Sequence, residues 1–234
     1  MELLTTADHP DLRRAAAPAL RSGWPEFVLH DEVSNTHRAA VAARFPYLDV
    51  LLVADGEVLA HAVGVALRWD GDPATLPTGY RGAILDAVAG EDEPDTLCVL
   101  AATVRPDRTG SGLATAVLRG LRERAGLGRV VVPVRPPLKA RYPLIPMADF
   151  ARWTRPDGLH PDPWVRTHQR LGATVLGEAP ASMVVTGGTA EWEGWTGMAF
   201  PQDGAYVVPG GLDPVRVVDG VGRYEEVDLW MRHA

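Results

Sequence analysis

The run Thr109-Gly110-Ser111-Gly112-Leu113-Ala114 has the residue types and spacing to hold a phosphate. It follows an apolar segment, Leu97 to Val104, and a turn at Pro106. It opens a segment in which Leu113, Val117 and Leu121 recur at helical spacing, with Arg119, Arg122, Glu123 and Arg124 on the other faces. A strand, a glycine-rich turn and a helix in that order leave the amides of Gly110 to Ala114 unpaired at a helix N-terminus. Such amides hold an anion by N–H donation, helped by the helix dipole. Glycine lets the backbone approach a bulky phosphate with no side chain between them.

Several nucleotide loops share this plan, and the details separate them. A dinucleotide fingerprint needs a third glycine where Thr115 stands. A Walker A loop needs a lysine after its last glycine, and none follows Gly112. A nucleophile elbow needs glycine two residues before the serine, where Thr109 stands before Ser111. What remains is a strand ending V-x-P (Val104, Pro106) followed by Thr109-x-x-Gly112-x-Ala114. This resembles the acetyl-CoA pyrophosphate loop of the GNAT (GCN5-related N-acetyltransferase) superfamily, in which the pattern is (R/Q)-x-x-G-x-(G/A). Thr109 departs from the arginine or glutamine usual there, and Arg108 beside it is the residue to replace that contact. The resemblance implies an acyl-CoA-dependent acyltransferase, acetyl-CoA as co-substrate and a small-molecule amine as acceptor. It places Ala102, Thr103 and Val104 along the cofactor arm, and Arg108, Thr109, Gly110, Ser111, Gly112, Leu113 and Ala114 around the pyrophosphate. A non-catalytic acyl-CoA-binding domain is the alternative reading.

A second stretch, His168-x-Arg170-Leu171-Gly172-Ala173, resembles the family's Y-x-K-x-G-F motif. There the tyrosine points at the cofactor sulfur and protonates the leaving thiolate. His168 stands in its place, and histidine titrates near neutrality, so acid or base work is expected of it. The family's base is often a carboxylate on the strand ahead of the loop. Leu97 to Ala102 carries none, and Asp95 at the start of that strand is the nearest candidate. Direct transfer is largely a matter of positioning, so a dedicated base is not obligatory.

The stretch from Pro136 to Pro163 is long, proline-rich and aromatic. Such a loop in a compact domain is functional or disordered, and Tyr142, Phe150 and Trp153 give it the means to pack. Entering after the strand at 129–135, it reads as a lid over the acceptor, with Lys139, Arg141, Tyr142, Trp153 and Arg155 as candidate contacts. Helix punctuation follows, with Pro163 in a first turn and Gly172 just past an end.

The elements that must position these residues read in the order β-α-α-β-β-(α)-β-α-β. Strands are expected at 1–6, 48–54, 57–69, 96–104 and 129–135, and helices at 7–22, 33–45, 81–89 and 111–126. Asp55-Gly56 between two apolar runs is a hairpin turn. The fold class is therefore α/β (α+β): a mixed, mostly antiparallel sheet with two splayed strands, elaborated by a β-rich C-terminal part. The expected division is an acetyltransferase core over 1–180, with the insertion 136–163, and an extension over 181–234 that completes the sheet. The forty or so residues between the strands expected at 181–187 and 226–232 form an elaborated hairpin over the acceptor site or a homodimer contact. Pro133 removes a ladder donor from its strand, which costs little where the strands splay.

At 234 residues, 46% hydrophobic and 23% charged, the chain has ample apolar material for a core. A net charge of −7 argues against nucleic acid or an anionic membrane as the main partner. No apolar run reaches the ~18–20 residues of a membrane span. No export leader is visible, and a cytoplasmic protein is expected. Cys98, the only cysteine, lies in an apolar strand and reads as a packing thiol. The seven histidines show no ligand spacing, so no metal is expected.

Overall fold

The computed structural model describes residues 1–234. Strand β1 (Glu2–Thr5) leads into α1 (Pro10–Arg21), which starts on a proline, and α2 (Glu32–Arg44), whose N-cap Asp31 accepts from Ser34 N–H. Strands β2 (Asp49–Ala54) and β3 (Glu57–Leu67) turn at Asp55-Gly56, where both residues have positive φ (51° and 78°) as a two-residue hairpin requires. Helix α3 (Gly79–Ala89) precedes β4 (Thr96–Val104), and α4 (Leu113–Ala125) precedes β5 (Arg129–Val134). Two short helices follow, α5 (Met147–Phe150) and α6 (Pro163–Arg170). The chain closes with β6 (Thr174–Gly188), α7 (Thr189–Thr196), β7 (Gly204–Tyr206), β8 (Val215–Val218) and β9 (Val221–His233).

All nine strands belong to one sheet, in the order β1-β2-β3-β4-β5-β9-β8-β7, with β6 along the other edge of β9. It has one parallel pair. β4 and β5 match only at Thr96↔Arg129, Leu97↔Val130 and Cys98↔Val131, and diverge beyond. From Val99 to Val104 the edge of β4 that faces β5 is open, while β3 pairs its other edge as far as Val104. Between Val63↔Ala101 and Gly64↔Val99 the register slips, which leaves Leu100 as a bulge at the mouth of the V. Gly64 is required there: a Cβ would stand 2.8 Å from Leu97 Cδ1 and 3.0 Å from Cys98 O.

Helix α4 buries Leu113, Val117, Leu118 and Leu121 in the main core. Each such side chain contributes ~1.5–3 kcal/mol, so the start of the helix is held firmly against the V. Cys98 is fully buried, and burial pushes its thiol well above the ordinary range. A second, smaller core gathers Phe27, Trp192, Phe200 and Tyr224 under the residues between β6 and β9. β6 begins at Thr174, earlier than 181, because β-bulges at 175/177 and 179/183 let one strand follow β9 along nearly its whole length. No helix is long and apolar enough to cross a membrane.

Candidate active site

The start of α4 has no side-chain cap. Gly112 takes the N-cap position with φ 81°, and Gly110 has φ 79°. The first bond of the helix runs from Ala116 N–H to Gly112 O, so the amides just ahead of it have no partner. A Cβ on Gly110 or Gly112 would meet no protein atom within 4 Å. The hydroxyls of Thr109 and Ser111 brace the turn by donating to the carbonyls of Pro106 (3.2 Å) and Arg108.

This loop closes one end of a cleft along the open edge of β4. Ala102, Thr103 and Val104 line it, with Arg108, Thr109, Gly110, Gly112, Leu113 and Ala114; Ser111 turns away. Trp164, Thr167 and Arg170 face it from α6. Unpaired amides with a dipole and arginines at one end suit a pyrophosphate. A free strand edge at the other suits an arm with amide groups, which can pair with it as an extra strand would. The residues fit acetyl-CoA.

A second cavity, of roughly 280 Å³, lies under α1, α2 and α3. Trp24, Leu100, Ala101, Thr103, Pro133 and Arg135 line both spaces, which therefore adjoin at the V. On the β3 side, His61 Nε2 lies 2.8 Å from Asp49 Oδ1, and Thr6 Oγ1 donates to the same oxygen at 2.6 Å. Burial pushes the Asp49 carboxyl up, but His61, Thr6 and Arg13 outweigh it and hold it below the usual carboxylate range. His61 stands opposite Thr103 in the ladder, and Thr103 Oγ1 accepts from Trp24 Nε1 at 3.3 Å.

On the β9 side, Arg135 Nε donates to both oxygens of the buried Glu226 at 3.0 Å, and Arg135 Nη2 to Gly210 O at 2.7 Å. Burial works against the Arg135 charge, and the Glu226 carboxylate more than offsets it, so the guanidinium stays protonated. Asp228 Oδ2 accepts from Ser182 Oγ at 2.6 Å, while Oδ1 is buried with no partner. Burial first, then the Glu226 charge, raise the Asp228 carboxyl well above its ordinary value.

No family model matches the chain. It is 30% identical over 237 aligned residues to an arginine N-acetyltransferase (avaD) of Aspergillus versicolor, covering 92% of this chain and 77% of that protein. This chain belongs to the GNAT superfamily. Two solved structures show the fold alone. The loading GNATL domain of CurA from Lyngbya majuscula has a TM-score of 0.61, at 15% identity, over 99% of this chain and 96% of its own. The GphF GNAT-like decarboxylase in complex with isobutyryl-CoA has a TM-score of 0.55, at 15% identity, over 100% of this chain and 99% of its own.

Within this GNAT protein several expected site residues sit elsewhere. His168 is fully buried, lines neither cavity, and shares a hydrogen bond of 2.9 Å from Nδ1 to His233 Nε2. Burial and the neighbouring imidazole push it down to about 3, so at neutral pH it is an uncharged packing group. The α6 side chains that reach the cleft are those one turn earlier and on either side. Asp95 lies at the far end of β4 from the cofactor loop, where it accepts from Trp69 N–H (3.1 Å), Thr96 Oγ1 (2.7 Å) and Arg129 Nη1 (2.8 Å). It ties β4 to β5 at the closed end of the V and touches neither cavity.

The lid expected at 136–163 is a fixed cover, not an acceptor wall. Lys139 is fully buried, its Nζ donating to the carbonyls of Leu212 (2.7 Å) and Tyr142 (3.1 Å). Tyr142 packs edge-on against Trp153 with ring centroids 4.9 Å apart, and neither these two nor Arg141 or Arg155 lines the acceptor cavity. The buried carboxylate of Asp162 pins the segment, taking the amides of Leu138, Trp164 and Val165 at 2.7–2.9 Å. Only its ends, Pro137 and Pro163, border the cofactor cleft. The walls of the second cavity come from α1, α2, α3 and β3, whose polar residues carry no motif. The one available signal was His61 at an inward position of a strand that is otherwise apolar.

The histidine pair has a consequence for stability. His168 and His233, lowered to about 3 and about 4 from 6.5, bind protons in the unfolded chain before the folded one. Stability is therefore full above pH 6.5 and is lost as pH falls toward 4, by up to ~1.4 kcal/mol per pH unit for each group. His168→Leu removes a buried ring nitrogen that has no partner. Urea unfolding at pH 7, 5.5 and 4.5 should show a shallower acid loss for His168→Leu than for the native protein. Equal slopes would refute the neutral buried pair.

Proposed function

We propose that this chain moves an acetyl group from acetyl-CoA to the amine of a small molecule by direct transfer. The observation that carries the reading is the pair of cavities that adjoin at the splayed half of β4 and β5. One has the donors for a nucleotide pyrophosphate; the other is largely apolar, with a few charged side chains on its walls. A thioester laid along β4 presents its carbonyl at Leu100 and Ala101, where both cavities meet.

Acetyl-CoA supplies the acyl group already activated as a thioester. The protein's part is positioning and proton handling. The unpaired N–H groups of β4 polarise the carbonyl as negative charge develops. The attacking amine must lose a proton as its nitrogen bonds to the carbonyl carbon and the carbon–sulfur bond breaks. His61, aligned by Asp49, is the side chain placed to take that proton. The thiolate leaves with the bonding electrons, and as the anion of a thiol, far more acidic than an alcohol, it needs little help from an acid. That explains how His168 can be buried without loss of the chemistry.

The fold alone hosts other reactions, as the GNAT-like decarboxylase shows. The relative that shares 30% identity is named for arginine, which makes arginine the first acceptor to test. Release of free CoA from acetyl-CoA, followed with a thiol reagent over a panel of amines, is the experiment. Acceptor-dependent release is expected. Tight acetyl-CoA binding with no release over the panel would point to a cofactor-sensing domain instead.

A further inference from the structure

The two sides of the second cavity differ: arginines of α1 and α2 border one, and Asp228 lines the other, beside the Arg135–Glu226 ion pair. Arg13, Arg21 and Arg38 border it from α1 and α2. Arg13 is half-buried, and burial disfavours its charge most; Asp49 favours the charge, and the exposed Arg21 and Arg38 disfavour it by less. Asp49, the carboxylate beside Arg13, is also engaged by His61 and Thr6. Arg38 is tied only to the amide oxygen of Asn35, at 2.7 Å. Three guanidinium groups bordering one cavity suit an anionic group on a ligand. Across the V, Asp228 lines the same cavity, 3% exposed, with Oδ1 unpartnered. That oxygen is shut off from the cavity as the side chain stands, and a turn of the Asp228 side chain would bring it to a donor on a ligand.

We infer that the acceptor is an amino acid with a cationic side chain, its carboxylate held by Arg13, Arg21 and Arg38 and its side-chain cation by Asp228. This rests on the acetyl-transfer reading above. The orientation sets the α-amine beside His61 and Leu100, between the two anchors, where the thioester carbonyl lies. A cation reaching Asp228 displaces its proton and replaces it with an ion pair, so the charge count of the cavity stays balanced.

The test compares arginine with agmatine, which lacks the carboxylate, and with citrulline, which has a neutral group of the same shape in place of the guanidinium. Free CoA release gives kcat/KM for each with the native enzyme. Arginine should exceed both by at least about tenfold, as loss of one buried charge contact implies. Arg13→Gln should shrink the arginine-to-agmatine ratio and leave the arginine-to-citrulline ratio, while Asp228→Asn should do the reverse. Agmatine or citrulline within twofold of arginine in the native enzyme would overturn the inference, with no variant needed. Turnover of other amines but none of these three would overturn it and leave acetyl transfer standing. Failure to bind acetyl-CoA at all, read by calorimetry, would remove both.

Discussion

Gly112→Glu is expected to abolish measurable acetyl-CoA binding, a loss of more than about a hundredfold. Three effects act together. Gly112 has φ 81°, a conformation that costs other residues ~1–2 kcal/mol. Its missing side chain faces open space, with no protein atom within 4 Å of a built Cβ, so a longer side chain fills the ligand's volume rather than the protein's. The new carboxylate also takes the helix N-terminus for itself and repels a phosphate there. The last point keeps the test clean, because an acidic group at a helix start favours the folded chain. Gly112→Ala carries the backbone strain alone and should lose only a few-fold. Calorimetry on both folded variants is the measurement; native affinity in Gly112→Glu would remove the loop from the cofactor site.

The parts legible in the sequence were those fixed by local physics. Asp55-Gly56 can only turn one way, Pro163 and Gly172 bracket a helix, and the run from Leu97 to Ala114 carries strand, turn and helix signals in series. The glycine turn at the start of α4 follows from such signals because it is a contiguous backbone feature. The acceptor site does not, because its residues come from separate elements. Asp49, His61, Arg13 and Asp228 belong to β2, β3, α1 and β9, and only the sheet order brings them to one cavity. Burial was the other missing quantity. Lys139 and His168 are the polar types expected at a site, yet both are fully buried, and one carries two carbonyl bonds while the other is paired with a second histidine. Asp95 was close to the reacting strand in sequence, but at the wrong end of it. The aromatic segment after β5 looked like a lid because it could pack; it packs on itself.

His61→Ala is the second substitution with a large expected effect, and it separates chemistry from binding. A general base contributes typically ~10²–10⁴-fold, so kcat for a competent acceptor should fall by about a hundredfold or more. Acetyl-CoA affinity should stay within a few-fold, because His61 borders the acceptor cavity and not the cofactor cleft. Asp49 acts through His61, holding its ring at 2.8 Å, so Asp49→Asn should cost less than the loss of the imidazole itself. Asparagine still offers an oxygen to the ring but no charge to stabilise its protonated form. A purely structural role for the pair would predict similar losses of stability and little change in kcat for the folded fraction. Added imidazole distinguishes the two: it can enter the space left in His61→Ala, accept the amine proton and restore part of the rate, and it cannot repair a distorted strand. A His61→Ala protein with kcat within about threefold of native, insensitive to imidazole, would mean that the amine enters already deprotonated and that transfer here is catalysed by position alone.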